Sequence, residues 1–267
     1  MKRWSLILFT VITQISVGSF WTAQFFLPFE DYLLFNRSLY ASFVLMLIGL
    51  SFSLSHLNSP IRAYFAVSNL RNSWLSREII FALLYTTFLG ITILNLWLNF
   101  IPRKIIFVLI WTCSLLGFLL LYSMIRVYMQ RTINTWNTFY TPISFFSAAL
   151  ILGALLFNLI VQGAALPGWL IIILLILIIL RSSLLPRSLA ILAQSIPLKD
   201  ILIHLQPQFI LNLILSAISL VLVGFLALNP YPATIFRAIA LCLLSLDAFV
   251  DRYMFYNLQK ISQPYLV

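Results

Sequence analysis

Acidic side chains are scarce in this sequence: Asp and Glu together number six in 267 residues, and charged residues of both signs make up only 8%. Soluble domains carry about a quarter charged residues, so a water-facing fold is excluded. Cysteine is nearly missing as well. Cys113 and Cys242 each stand alone in an apolar run, without the C-x-x-C spacing of a zinc or iron–sulfur site, and they read as small packing residues. Histidine occurs twice. His204 falls in a loop rather than facing His56 from a neighbouring span, so the pair does not clamp a b-type haem, and no metal centre is expected. The Lys and Arg residues, sixteen in all, are scattered instead of run together. That disfavours a nucleic-acid surface and favours anionic lipid headgroups or an acidic partner protein.

What is present is apolar length. With 63% hydrophobic residues and a mean hydropathy of +1.06, the chain is expected to be an all-α polytopic membrane protein, a bundle of eight transmembrane helices forming one integral membrane domain over residues 1–267. The runs fall at about residues 4–27, 39–56, 76–100, 105–129, 142–161, 165–185, 209–228 and 234–258. Met1-Lys2-Arg3 precedes a run too long for a secretory signal, so a retained first helix is expected, with Gln14 halfway along it as a packing residue. Ser76 is the expected cap of the third helix, which puts Glu78 in its first turn. Pro142 opens the fifth, and Arg181 near the end of the sixth is placed to snorkel. No internal repeat is evident beyond a four-plus-four grouping of spans.

The stretch from His56 to Glu78, HLNSPIRAYFAVSNLRNSWLSRE, sets Arg62, Arg71, Arg77 and Glu78 between two apolar runs. Consecutive spans run antiparallel, so the end of one and the start of the next emerge at the same face, and His56 and Glu78 are candidates to meet. Asn58-Ser59-Pro60 signals a short interfacial helix to about residue 70. By face, twelve of the sixteen Lys and Arg lie on the side that holds both termini and this loop. The positive-inside rule alone puts that side in the cytoplasm.

His56-Leu57-x-Ser59-Pro60-x-Arg62-Ala63, followed by Ser73-x-Leu75-Ser76-x-Glu78-Ile79, resembles the membrane anchor subunit of bacterial dimethyl sulfoxide reductases, whose pattern there is H-L-G-S-P-x-R-A and then S-x-L-S-x-E-I. Leu6 to Gln14, Arg126-Val127-Tyr128, Thr135-Trp136, Thr141-Pro142 and Arg252 with Phe255-Tyr256 extend the similarity over most of the chain. The sequence departs from the pattern at Asn58, where the family has Gly, and in the last helix. There the family reads G-E-x-x-G-R and this chain reads Leu246-Asp247-Ala248-Phe249-Val250-Asp251-Arg252, keeping a carboxylate one position off.

The resemblance implies a bacterial inner-membrane, multi-pass subunit of anaerobic respiration with no haem or iron–sulfur cluster of its own. It implies a molybdopterin catalytic subunit and a four-cluster iron–sulfur subunit as partners, and menaquinol bound as substrate near the face where the iron–sulfur subunit docks. In the family that face is periplasmic, which conflicts with the charge count. A basic face also suits an acidic docking partner, and the family orientation is preferred here on that ground.

Quinol oxidation releases two electrons and two protons, so each ring hydroxyl needs an acceptor within hydrogen-bond reach, inside an apolar pocket. His56 and Glu78 are the expected catalytic pair. Arg62 and Arg77 are expected to hold charge beside them, and Arg126 or Tyr128 to reach in from the fourth helix. Without the resemblance, His56 reads as an interfacial residue at a helix end, Glu78 as a carboxylate answering a helix dipole, and Arg126 and Arg252 as snorkelling or ion-paired residues. Two other functions compete. One is a small-solute transporter, disfavoured by the lack of Gly/Pro-broken helices in paired positions; the other is an assembly protein with no quinol site.

Overall fold

A computed structural model describes residues 3–26, 32–55, 69–98, 100–129, 137–161, 166–192, 198–229 and 234–262. Among the described residues there is no strand. Eight helices follow one another: α1 Arg3–Phe26, α2 Tyr32–Ser55, α3 Trp74–Leu98, α4 Arg103–Tyr128, α5 Tyr140–Ile160, α6 Gly168–Leu192, α7 Leu198–Leu228 and α8 Thr234–Ser262. Seven of them are long and apolar enough to cross a bilayer. The exception is α8, which carries Arg237, Asp247, Asp251 and Arg252 along its length. The molecule is a multi-pass membrane protein of the all-α class.

The helices fall into two compact units, Met1–Val127 and Tyr128–Val267. In the first, contact pairs fix the direction of every neighbour. Ser16 donates to the Ser42 carbonyl at 2.6 Å, and a Cβ built on Gly49 would meet Thr13, so α1 and α2 are antiparallel. Trp97 reaches the Tyr40 hydroxyl, and Gly90 lies against Phe43, so α2 and α3 are antiparallel too. Trp21 donates to the Ser114 carbonyl, and Val17 packs on Gly117, which makes α4 antiparallel to α1. It follows that α1 and α3 run parallel. A Cβ on Gly117 would come within 2.9 Å of Val17, so glycine is what lets α4 approach α1 this closely.

The core of this unit is unusually polar for a membrane bundle. Thr10, Thr13, Gln14, Ser16, Ser19, Thr22 and Gln24 of α1, and Ser38 and Ser42 of α2, are all buried. Thr10 returns a hydrogen bond to Ile7 and Thr22 to Gly18 in the preceding turn, whereas the hydroxyls of Thr13, Ser19, Ser38 and Ser42 have no hydrogen-bond partner among the described residues.

In the second unit α8 is the hub. Ser144 and Tyr140 of α5 donate to Asp251, and Arg237 donates to the Asn158 carbonyl at 3.0 Å, so α5 and α8 are antiparallel. Asn212 reaches Asp247, and Phe225 packs on Phe236, which makes α7 antiparallel to α8.

Several boundaries differ from those the sequence suggests. Helix α3 begins three residues earlier than a Ser76 cap would place it, because Ser73 caps it: the Ser73 hydroxyl accepts from the Ser76 amide at 3.2 Å. Glu78 therefore sits in the second turn, and the first turn holds no acid. The connection between the expected sixth and seventh runs, where the sequence suggests a loop at His204, is largely helical: α6 runs on past Pro186, and α7 begins before Pro207 and includes His204. Both prolines stand at the edges of their apolar spans, Gly168–Pro186 and Leu205–Leu228. Unbroken helices are therefore a weaker reason against a transporter than the sequence suggests. The interfacial helix expected up to residue 70 lies mostly outside the described residues.

Candidate functional site

The residue types chosen from sequence gather at the start of α3 and the end of α4. On α3 the side chains of Trp74, Arg77 and Glu78 lie within one turn of each other on adjacent stripes, at the i, i+3 and i+4 positions that make helix neighbours. The Arg77 guanidinium stacks on the Trp74 ring at 4.2 Å and donates to the carbonyls of Leu70 at 2.9 Å and Arg71 at 2.8 Å. Those bonds tie the turn before α3 to the helix, so Arg77 holds the rim in place.

From α4, Tyr122 meets Trp74 edge to face at 5.6 Å, and the Arg126 guanidinium lies 5.1 Å from the same indole. The indole thus gathers two cations at one membrane face. The Nε–H of Arg126 is buried and has no hydrogen-bond acceptor among the described residues.

Glu78 is 4% exposed and begins the buried stripe Glu78, Ala82, Tyr85, Leu89 and Thr92. Among the described residues it has neither a hydrogen bond nor an ion pair. A carboxyl kept this far from water without a donor is costly, and a ligand hydroxyl placed against it removes much of that cost. With the Trp74 indole one turn away, and beside that indole an Arg126 Nε–H that has no acceptor among the described residues, the site can hold an aromatic ring by its face and an oxygen at its edge.

Not every expected residue joins this group. Glu78, Arg77 and Arg126 come together around Trp74. Tyr128 belongs to the second unit, where its hydroxyl pairs with that of Tyr256 and its ring packs against Phe145 and Phe255. His56 and Arg62 lie outside the described residues. Trp74 is the member that sequence reading missed, and its positions three and four residues before Arg77 and Glu78 are the signal that would have found it.

The second unit contains a separate buried polar network. Arg181 of α6 ion-pairs with Asp247, which also accepts from Asn212 at 2.9 Å and Ser216 at 3.3 Å. One turn along α8, Asp251 accepts from Tyr140 and from Ser144 and lies 3.5 Å from Arg252, whose guanidinium rests 3.6 Å from the Phe145 ring centre. Arg181 is thus buried in an ion pair rather than snorkelling. Asp247, offset by one position from the family carboxylate, is what holds it. Cys113 is buried as a packing residue, whereas Cys242 is exposed on its helix.

The fold and these contacts define a multi-pass membrane bundle with a buried carboxyl, unpartnered among the described residues, one turn from an aromatic and cationic rim. The sequence profile described as DMSO reductase anchor subunit (DmsC) matches residues 1–258. The protein belongs to that family. It is 30% identical over 173 residues to the C subunit of the anaerobic dimethyl sulfoxide reductase of Escherichia coli K12, a match over 62% of this sequence and 60% of that one. It is 28% identical over 168 residues to the anaerobic dimethyl sulfoxide reductase subunit YnfH of the same organism, over 61% and 58%. With the C subunit of the Haemophilus influenzae Rd anaerobic dimethyl sulfoxide reductase it shares 30% identity over 154 residues, over 56% and 55%. The matched region thus spans about three-fifths of the length of each of these relatives.

Proposed function

We propose that this protein is the membrane anchor of a respiratory dimethyl sulfoxide reductase-type complex in a bacterial inner membrane, and that it oxidises menaquinol. Its partners in this reading are a four-cluster iron–sulfur subunit, which takes the electrons, and a molybdopterin subunit, which reduces the terminal acceptor. Glu78 carries the reading: a membrane-buried carboxyl with no protein partner among the described residues, near the start of α3, within a turn of an indole that holds two guanidiniums.

Oxidation breaks both O–H bonds of the quinol and leaves two carbonyls. One proton passes to Glu78 and the other to His56, and the two electrons go to the iron–sulfur partner. Arg126, with its free Nε–H, stabilises the ring oxygen that has lost its proton, and Trp74 keeps that guanidinium in place. Arg62 is assigned to the same rim from the family pattern.

The test uses the assembled complex. Glu78→Gln and His56→Ala are expected to lower menaquinol-dependent reduction at least a hundredfold while reduction by an artificial dye, which feeds the water-exposed subunits directly, stays unchanged. Wild-type quinol turnover in both variants would rule the site out.

A further inference from the structure

Among the buried polar side chains of the first unit that lack hydrogen-bond partners among the described residues, Gln14 is the one left unanswered at both of its polar atoms. Gln14 of α1 is completely buried, and neither its amide oxygen nor its amide nitrogen has a hydrogen-bond partner among the described residues. Leaving both ends of a primary amide unsatisfied in an apolar core costs more than a same-sized apolar side chain would. Packing alone therefore does not account for a glutamine here.

Its position gives it a use. Gln14 shares a stripe of α1 with Val17, Trp21 and Gln24, and those three contact Gly117 and Ser114 of α4. Gln14 therefore faces the α1–α4 seam. Glu78 heads the buried stripe of α3 on which Tyr85 touches Gly117 of α4 and donates to the Ser16 carbonyl of α1. Because α1 and α3 run parallel, Gln14, two residues before Ser16, falls in the interval between Glu78 and Tyr85. That interval is about 10 Å long at the helical rise. Two buried side chains, each lacking a protein partner among the described residues, thus lie on stripes of neighbouring parallel helices that meet where Tyr85 reaches the Ser16 carbonyl.

We propose that Gln14 binds the inner oxygen of the quinone-type ligand whose outer oxygen meets Glu78. This rests on the quinol reading above and adds a ligand residue to it. An amide suits both redox states of such a ligand: its carbonyl accepts from the hydroxyl of the quinol, and its NH2 donates to the carbonyl of the quinone. Gln14 takes no proton itself: it retains the ring while the ring oxygens change from donors to acceptors, and the proton of the hydroxyl it holds still passes to His56, as in the reading above.

Gln14→Met keeps the side-chain length and removes both polar atoms, and is measured in the membrane-bound complex with a short-chain naphthoquinol as substrate and its quinone as product inhibitor. The KM for the quinol and the inhibition constant of the quinone are both expected to rise about tenfold, the factor for one lost hydrogen bond to a buried group. Dye-linked activity and the thermal stability of the complex are expected to be unchanged or slightly raised. A residue with only a packing role would leave both constants alone, and that result overturns the proposal. Gln14→Asn, which retains both groups on a shorter stem, serves as a second variant; it is expected to fall between wild type and Met, and binding weaker than in the Met variant overturns the assignment. Glu78→Gln separates the two ideas. If it abolishes quinol turnover while Gln14→Met binds normally, only the role of Gln14 fails. If it leaves turnover intact, the quinol reading fails first.

Discussion

Arg181 and Asp247 show how much single side chains matter in this molecule. Each is almost wholly buried, and each compensates a charge the other would leave bare. Breaking such a pair from one side strands an uncompensated charge, at a cost of about 3–5 kcal/mol, whereas replacing both partners with apolar groups is often neutral. Arg181→Leu and Asp247→Leu are therefore each expected to cut the amount of folded protein in the membrane sharply, and the double variant to recover most of it. Thermal denaturation of the purified protein in detergent measures the recovery. The same contrast explains which residues were legible in the sequence. Glu78 and Arg126 stand out there because charge is rare in apolar runs. Trp74 does not, since seven tryptophans in a membrane protein look like an interfacial belt, and only its contacts with Arg77 and Arg126 set it apart.

Among the helices, α4 packs closely on α1 at Gly117. Adding a methyl there drives it into Val17, and overpacking of this kind costs about 1–3 kcal/mol. Gly117→Ala is expected to destabilise the first unit by that amount, and Val17→Ala in the same molecule to restore much of the loss, as read from the melting temperatures of the two variants. Helix number and order were legible from the apolar runs, because length and hydropathy mark seven of the eight helices as able to cross a membrane, the charged α8 being the exception. The ends were less so. Ser73 and Ser76 have equal claims as caps in the sequence, and only the hydrogen bond to the Ser76 amide chooses between them. Pro186 and Pro207 mark helix ends by the rules for water-soluble proteins, yet both lie inside helices here. Backbone groups released by proline near a bilayer surface find other partners without ending the helix.

At the scale of the whole molecule, many of the exposed side chains are large and apolar, among them Trp97, Leu98, Val108, Trp111 and Ile176, as a lipid-facing surface requires. The polar chemistry is inside, distributed between one unit with a carboxyl and an amide that have no partner among the described residues and another in which Asp247 and Asp251 pair with Arg181 and Arg252. Affinity purification through a tag on this protein, in mild detergent, is expected to bring down an iron–sulfur protein and a molybdopterin protein in fixed proportion. Purification alone would favour the transporter alternative, and partners captured only transiently would favour an assembly role.

The charges along α8 bear on how the protein is made. Asp247 finds its base on α6 and its amide donor on α7, and Asp251 finds its hydroxyl donors on α5, all three synthesised earlier. A lone segment with two acids near its middle is a poor substrate for insertion, at roughly 2.5–3.5 kcal/mol per charge. It follows that α8 enters the lipid as a companion to helices already waiting there, and that the order in which the ribosome delivers them is itself part of the folding code.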